Sequence, residues 1–140
     1  MHRLEPMHET KFTPAIENYL KAIYLLHQEH ARVTTSLLAA QLGVAPASVS
    51  GMIQKLAKLT LLTYMPYRGV VLTDRGQRTA REVLRRYRLI ELFLVQSLEY
   101  PCDEAHAEAD VLEHAVSSRL AARMQTYLTK DLIVDVVTKE

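Results

Sequence analysis

Side chains that bind divalent metal ions recur along one segment near the carboxyl end of the chain, HAEADVLEH (106–114). In one continuous helix, four of them stand at positions i, i+4, i+7 and i+8 and share one face: His106, Asp110, Glu113 and His114. Imidazole and carboxylate ligands together suit Mn²⁺, Fe²⁺ or Zn²⁺. The pattern predicts a metal site, and a polar surface network is the alternative interpretation.

A single helix cannot close a coordination sphere, so the remaining ligands are expected from other elements. Glu91 lies on the preceding predicted helix, and Glu17 and Asn18 lie on the first helix of the chain. An enzyme is disfavoured, because the sequence lacks H-E-x-x-H, in which two histidines on one helical turn flank a general base. We therefore expect a binding protein.

The elements that position these residues are predicted to be mostly helices. Thr13-Pro14 begins a first helix over about 13–29, because threonine is a preferred N-cap and proline suits the first helical turn. Thr34-Thr35 begins a second helix that ends at Gly43, since glycine commonly terminates helices. Pro46 begins a third helix only a few residues later.

Two β-prone runs, LLTYM and VVLT, flank PYRG and predict a β-hairpin. Thr73 or Asp74 is expected to cap a long amphipathic helix over about 75–97, and a last helix is expected over about 103–128. The tail DLIVDVV is rich in β-branched residues and is expected as a strand or an extended packing segment. The predicted fold class is mostly α with a small β-hairpin wing.

The order of helix, short turn around a glycine, helix and hairpin is that of a winged helix-turn-helix. Small residues early in the second of these helices let it enter a major groove: Ser48, Ser50 and Gly51. Lys55 and Lys58 are expected to meet the DNA backbone, and Arg68 at the hairpin tip to reach phosphate or the minor groove. The same geometry also occurs in proteins that bind no DNA. Leu59-Thr60 stands where a terminating glycine is expected, so the entry to the wing is predicted to be strained.

The net charge of +1 hides an uneven distribution of charged residues. Residues 34–88 hold nine basic and two acidic residues, whereas residues 89–140 hold four basic and ten acidic residues. A polyanion is drawn to the first region and a cation to the second, with solvated helix faces as the alternative. No long basic tract or aromatic platform indicates RNA or single strands. Double-stranded DNA is the expected partner.

Composition excludes several other classes of protein. The 140 residues are 49% hydrophobic and 24% charged, unlike a disordered chain. The single cysteine, Cys102, allows no internal disulfide and suits a reducing compartment. No run approaches the roughly 18 apolar residues of a membrane span, and the N-terminus does not resemble a signal peptide. We expect a soluble, cytoplasmic protein with no membrane partner.

Four motifs resemble the iron- and manganese-dependent repressors, the diphtheria toxin repressor and manganese transport regulator family. They are ENYLKAIY (17–24), LGVAPASVS (42–50), YRGVVLTDRG (67–76) and EADVLEH (108–114). The resemblance covers roughly residues 13–128 and includes both functional halves in order. It implies a homodimer that binds a palindromic operator when loaded with Mn²⁺ or Fe²⁺ and represses metal-uptake genes. Binding of Zn²⁺, Co²⁺ or Ni²⁺ in vitro is also expected.

By position, the resemblance also implies a role for each candidate residue. The metal ligands of the dimerisation helix correspond to Asp110, Glu113 and His114. Asn18 corresponds to a helix-one position that is Met in iron-type and Asp in manganese-type members. Glu91 and His106 correspond to a second, ancillary metal site. The DNA-contacting positions correspond to Ser48 and Ser50 on the recognition helix and Arg68 on the wing.

Departures from the family pattern change what is expected of the metals. Tyr87 stands where both subtypes have His, and Lys21 stands where manganese-type members have a Glu ligand. We therefore expect one primary site and a weak or altered second site. Asp110, where iron-type members have Cys, is a hard oxygen donor and favours Mn²⁺. His8 and Glu9 are candidates to replace a missing ligand.

The domain organisation follows from the same reasoning. We expect a DNA-binding domain over 1–74 and a helical dimerisation and metal-binding domain over 75–140. Residues 129–140 do not resemble the Gly/Pro-rich linker to the SH3-like third domain of longer members, so either a two-domain member or an early chain end is possible. Metal is expected to tie helix one to the dimerisation helices and to set the two recognition helices about 34–36 Å apart, one turn of DNA. The rivals are a winged-helix regulator with a non-metal ligand and a protein-binding module.

Overall fold

The computed structural model describes residues 12–139, with side chains described from 12 to 129. This part of the chain divides into two compact units, Phe12–Val83 and the residues from Leu84 onward. Its elements are six helices and one hairpin, which confirms the predicted fold class: α1 (Pro14–Glu29), α2 (Thr35–Leu42), α3 (Pro46–Lys58), β1 (Leu62–Met65), β2 (Gly69–Leu72), α4 (Asp74–Leu98), α5 (Cys102–Leu112) and α6 (Ser118–Lys139).

Threonine hydroxyls cap three helices of the first part of the chain, as their positions predicted. The Thr13 Oγ1 accepts from the backbone N–H of Ile16 at 3.2 Å and begins α1. Thr34 and Thr73 accept in the same way at the starts of α2 and α4, at 3.0 and 3.1 Å. Each bond satisfies one of the backbone donors that a helix start leaves without a partner. Gly43 ends α2 in the left-handed conformation, with φ of 68°.

The core of the first unit lies between α1, α2, α3 and the hairpin. Its largest fully buried side chains include one or more from each of these elements: Leu20, Ile23, Leu38, Val49, Leu56, Leu62 and Val70. The hairpin strands pair antiparallel, with Leu62 opposite Leu72 and Met65 opposite Gly69. Beyond Leu62 every residue of β1 is exposed, so this strand forms the outer edge of the wing.

The root of the wing is attached to the loop that follows α1. Val33 forms a parallel bridge with Gly69: its N–H donates to the Arg68 carbonyl at 3.0 Å, and its carbonyl accepts from Val70 at 2.9 Å. His27 of α1 adds a second attachment, because its Nε2 lies 2.6 Å from the Val70 carbonyl. The His27 Nδ1 is buried without a partner, so the proton belongs on Nε2, which donates to that carbonyl.

The transition from α3 into the wing confirms the strain predicted at Leu59-Thr60. Thr60 has φ of +59°, a conformation that favours glycine. Leu61 donates to the Leu56 carbonyl at 2.9 Å and Thr60 to the Ala57 carbonyl at 3.0 Å, the bond pair of a Schellman motif. The Thr73 hydroxyl donates to the Thr60 carbonyl at 2.8 Å. Hydrogen bonds therefore hold a threonine where the chain turn calls for glycine.

The last predicted helix, over 103–128, is wrong as one continuous element. The structure divides it into α5 and α6. The Ser117 hydroxyl accepts from the Leu120 N–H at 3.0 Å and begins α6, while the Arg86 Nε donates to the Glu113 carbonyl at 2.8 Å. A new cap and a side-chain donor to a backbone carbonyl thus accompany the interruption.

The interpretation of DLIVDVV as a strand or extended segment is also wrong, since α6 continues to Lys139. Extending an existing helix fixes one residue for each hydrogen bond gained, whereas a new element must be nucleated. The weak preference of β-branched residues for strands is overridden in this context.

The core of the second unit is formed by α4, α5 and α6. Its buried members are Ile90, Leu94, Ala105, Ala109, Val116, Ala121 and Met124. Small alanines on α5 allow its backbone to approach its neighbours closely. Among the described residues no single helix is long and apolar enough to cross a membrane, although α2 and α3, bent by 109° at their break, pass that test as a pair.

Gly69→Ala is expected to lower the free energy of unfolding by roughly 2–4 kcal/mol. Gly69 has φ of +76°, and a Cβ there would lie 2.1 Å from the Val33 carbonyl oxygen. The measurement is urea unfolding followed by circular dichroism. Gly51→Ala is the matched control: apart from its chain neighbours and the backbone of its own helix, no atom lies within 4 Å of the added Cβ, so a gain of about 0.5–1 kcal/mol is expected. Equal stability of the two variants would contradict the close approach at the wing root.

Candidate metal centre and DNA-binding surface

The interruption after α5 places a carboxylate and an imidazole together. Glu113 has no exposed surface, and its Oε2 lies 3.2 Å from the Nε2 of His114, whose side chain is 10% exposed. Neighbouring residues of a continuous helix do not face each other. These two consecutive side chains lie where α5 ends, with Glu113 as its C-cap and His114 following it. The predicted single stripe on one helix is therefore corrected: His106 and Asp110 lie on α5, and His114 lies beyond its end.

A buried carboxylate is costly unless charged or hydrogen-bonding groups surround it. Arg86 of α4 is only 7% exposed, and its Nε donates to the backbone carbonyl of Glu113. This bond fixes the backbone that carries the carboxylate. A fixed backbone at Glu113 favours a defined side-chain geometry, which metal-binding side chains require.

Asp110, the third ligand expected on this segment, is exposed on α5. Burial and the nearby carboxylates of Glu91, Asp110 and Glu113 together raise the pKa of the half-buried Tyr87 above its ordinary value. Burial contributes most to this shift. Three carboxylates around one phenol make this part of the second unit favourable for a cation.

The predicted ancillary residues also come together. His106 Nδ1 lies 2.5 Å from the Glu91 Oε2 and 2.6 Å from the Tyr87 hydroxyl. The Tyr87 and His106 rings are nearly parallel, with an angle of 7° and centroids 6.0 Å apart. A phenol and a carboxylate therefore converge on one imidazole nitrogen.

Asn18 is exposed and Glu17 is buried on α1, in the first unit. Over residues 12–139 the structure contains no group of three or more His, Cys, Asp or Glu side chains arranged to hold a metal ion. It shows two donor pairs, Glu113 with His114 and Glu91 with His106. His8 and Glu9, the candidates for a replacement ligand, lie outside the described residues.

The candidate DNA-binding residues share the exposed side of α3. Val49 and Leu56 are buried against the core, while the predicted contacts are exposed: Ser48, Ser50, Gly51, Lys55 and Lys58. A recognition helix requires an apolar side packed on the core of the first unit and a polar side that faces solvent. Arg68 lies exposed in the turn of the wing, as the hairpin predicted.

Three contacts escaped the sequence reasoning. Arg86 donates to the Glu113 carbonyl, and His27 donates to the Val70 carbonyl. The Arg32 guanidinium donates to the Tyr64 hydroxyl at 3.1 Å. Each joins residues at least 27 positions apart. No local sequence pattern predicts such pairs, because capping motifs and hydrophobic periodicity depend only on residues within a few helical turns of each other.

Comparison with known proteins finds both halves of one family. Residues 11–70 match the iron dependent repressor, N-terminal DNA binding domain, and residues 73–130 match the iron dependent repressor, metal binding and dimerisation domain. An uncharacterised HTH-type transcriptional regulator of Methanocaldococcus jannaschii is 37% identical over 117 residues, which cover 83% of this chain and 94% of that protein.

Relatives with more specific names are similar to the same region. The HTH-type transcriptional regulator MntR of Bacillus subtilis is 35% identical over 75% of this chain and 73% of its own length. A solved manganese-dependent transcriptional repressor in complex with manganese is 43% identical, with a TM-score of 0.75 over 81% of this chain. This chain covers 52% of that protein, so it spans about half the length of the solved structure.

The predicted resemblance is thereby confirmed for both halves of the chain. The metal-binding and dimerisation match contains the Glu113–His114 pair, and the DNA-binding match contains α3 and the start of β2. The chain belongs to the iron-dependent repressor family of metal-dependent transcriptional regulators, which are not enzymes.

Proposed function

We propose that this chain senses Mn²⁺ and, when loaded, binds a palindromic operator as a homodimer to repress metal-uptake genes. The observation that carries the proposal is the buried Glu113 beside His114, within the half that matches a metal-binding and dimerisation domain. A carboxylate with no exposed surface next to an imidazole supplies two of the donors that divalent first-row metals prefer.

Manganese is favoured over iron for two reasons. Asp110, Glu113 and His114 provide hard oxygen and nitrogen donors with no thiolate, which suits Mn²⁺. In addition, a solved relative that is 43% identical is named as a manganese-dependent repressor in complex with manganese. Fe²⁺ remains the alternative metal of the family. Participation of Asn18 as a further ligand stays a prediction.

In this proposal, different residues of the chain position the metal ligands, bind the metal and bind DNA. Arg86 holds the backbone of Glu113, and His114 and Asp110 complete the donor set on the second unit. A bound cation would neutralise the carboxylates gathered around Tyr87. Metal promotes DNA binding only if it binds the DNA-competent form more tightly than the other form. Residues 1–74 are proposed as the DNA-binding domain and 75–140 as the dimerisation and metal-binding domain.

One metal ion per protomer is proposed, because the ancillary residues are poorly suited to a second. Tyr87 puts a phenol where an imidazole would complete the set with Glu91 and His106. Phenols are not among the ligands that Mn²⁺ or Fe²⁺ prefers in mixed imidazole and carboxylate sites. The hydrogen bonds among the three side chains instead give His106 protein partners.

Glu113→Gln and His114→Ala are each expected to weaken Mn²⁺ binding by at least about tenfold, since each removes a proposed direct ligand. Glu113→Gln keeps the shape of the buried side chain and removes its charge, so the fold should persist. The measurements are calorimetric titration with Mn²⁺ and the Mn²⁺-induced rise in melting temperature. Glu104→Gln, at an exposed position in the first turn of α5, is the matched control and should bind like the wild type.

The same variants test the coupling to DNA. Fluorescence anisotropy with a duplex selected from a random pool should show Mn²⁺-stimulated binding for the wild type and Glu104→Gln but not for Glu113→Gln. Binding that is equally tight without Mn²⁺ would favour a regulator with a non-metal ligand. Binding that depends on Mn²⁺ in all three proteins would mean that the metal ligands are misassigned.

Tyr87→His is expected to raise the Mn²⁺ stoichiometry from one to two per protomer, because it supplies an imidazole beside Glu91 and His106. Calorimetry or elemental analysis of the dialysed protein measures this number. Tyr87→Phe is the control, since it removes the hydroxyl without adding a ligand and should stay at one. Two ions in the wild type, or one in Tyr87→His, would contradict the proposed effect of Tyr87.

A further inference from the structure

A polar pair that the predicted DNA contacts do not include joins the outer strand of the wing to the loop between α1 and α2. The Arg32 guanidinium, on the loop between α1 and α2, donates through Nη2 to the Tyr64 hydroxyl of β1 at 3.1 Å. Both residues are exposed, and Tyr64 is 61% exposed despite its large ring. The pair joins the helical part of the first unit to the exposed edge of its hairpin.

The chemistry of this pair is that of an anion-binding group. A phenol that accepts a hydrogen bond from a guanidinium keeps its own hydrogen to donate to another acceptor. Arg32 has five N–H donors, and one bond to Tyr64 leaves others available for a planar oxyanion. Tyr64 also restricts the rotamers of a long side chain, which reduces the entropy lost when that side chain binds.

The surrounding charge favours a polyanion. Residues 30–73 contain no aspartate or glutamate but contain Arg32, Lys55, Lys58 and Arg68. No carboxylate from this segment competes for the Arg32 guanidinium. Arg32 also adjoins the wing turn, because the next residue, Val33, donates its N–H to the Arg68 carbonyl. Two arginines therefore flank the backbone bridge at the wing root.

We propose that Arg32 and Tyr64 bind a backbone phosphate of duplex DNA at the outer edge of the wing. Arg32 supplies the charge, and Tyr64 orients it and donates its own hydroxyl hydrogen. The inference rests on the proposed function and extends its DNA surface from α3 to β1. A double helix is favoured over a single strand because the site lies beside a helix-turn-helix, on the same unit, where a groove-bound α3 brings phosphates to the wing.

The test is the salt dependence of binding to a duplex selected from a random pool in the presence of Mn²⁺. Arg32→Ala is expected to weaken binding roughly tenfold and to reduce the slope of log K against log salt by about 0.9 for each phosphate that the variant no longer neutralises. Tyr64→Phe keeps the ring and should weaken binding by roughly threefold with little change in slope, since it removes one neutral hydrogen bond.

A double variant separates the two roles of Tyr64. If Tyr64 acts partly by orienting Arg32, then Tyr64→Phe should cost less in the Arg32→Ala protein than in the wild type. Arg119→Ala, at an exposed arginine of α6 in the second unit, removes the same charge and should leave the slope unchanged. Thermal melting of each variant should match the wild type, because both side chains are exposed.

The possible results distinguish a failure of the proposed phosphate contact from a failure of the proposed function. If the wild type binds the duplex and Arg32→Ala and Tyr64→Phe bind it with the same affinity and salt slope, the proposed phosphate contact is overturned, while the proposed function stands. Equal losses in Arg32→Ala and Arg119→Ala also overturn it, because the effect would then reflect net charge. Tighter binding of a single strand than of the duplex overturns the choice of ligand. A wild type that binds no duplex overturns the proposed function and this phosphate site with it.

Discussion

The burial of the Glu113 carboxylate is the constraint on which the second unit depends. A charge inside a protein costs several kcal/mol unless polar partners compensate for it. The structure provides His114 at 3.2 Å and fixes the Glu113 backbone through Arg86. Both contacts lie at the end of α5, where Glu113 is the C-cap. The interruption before α6 is therefore the place in the fold where the donor pair lies.

In the first unit the main structural constraint is different, because a small hairpin must be held beside a recognition helix. A two-stranded hairpin alone is marginally stable. Here the backbone bridge from Val33 and the side chain of His27 attach the wing to α1 and to the loop that follows it. A rigid wing loses little entropy on binding, so its polar side chains can contribute to affinity.

Much of this fold could be predicted from the sequence because its signals are local. Thr13, Thr34 and Thr73 each begin a helix, and Gly43 ends one. Even the strain at Thr60 was predictable from the absence of a glycine after α3. The prediction of one continuous helix over 103–128 was wrong because the helical periodicity continues through HAEADVLEH, and no proline or glycine marks an end. The structure ends α5 at Leu112 and begins α6 with the Ser117 cap, and Arg86, from a helix distant in sequence, donates to the Glu113 carbonyl between them.

The sequence by itself determined the family, the order of the elements from α1 to α4 and the set of candidate metal ligands. These depend on residue type and short-range spacing, which the chain carries whatever its tertiary packing. Only the tertiary structure decided that Glu113 is buried, that Tyr87 and Glu91 share the Nδ1 of His106, and that Arg32 meets Tyr64. Burial and long-range pairing are properties of packed elements, and no periodicity along one element encodes the side chain that another element brings to it.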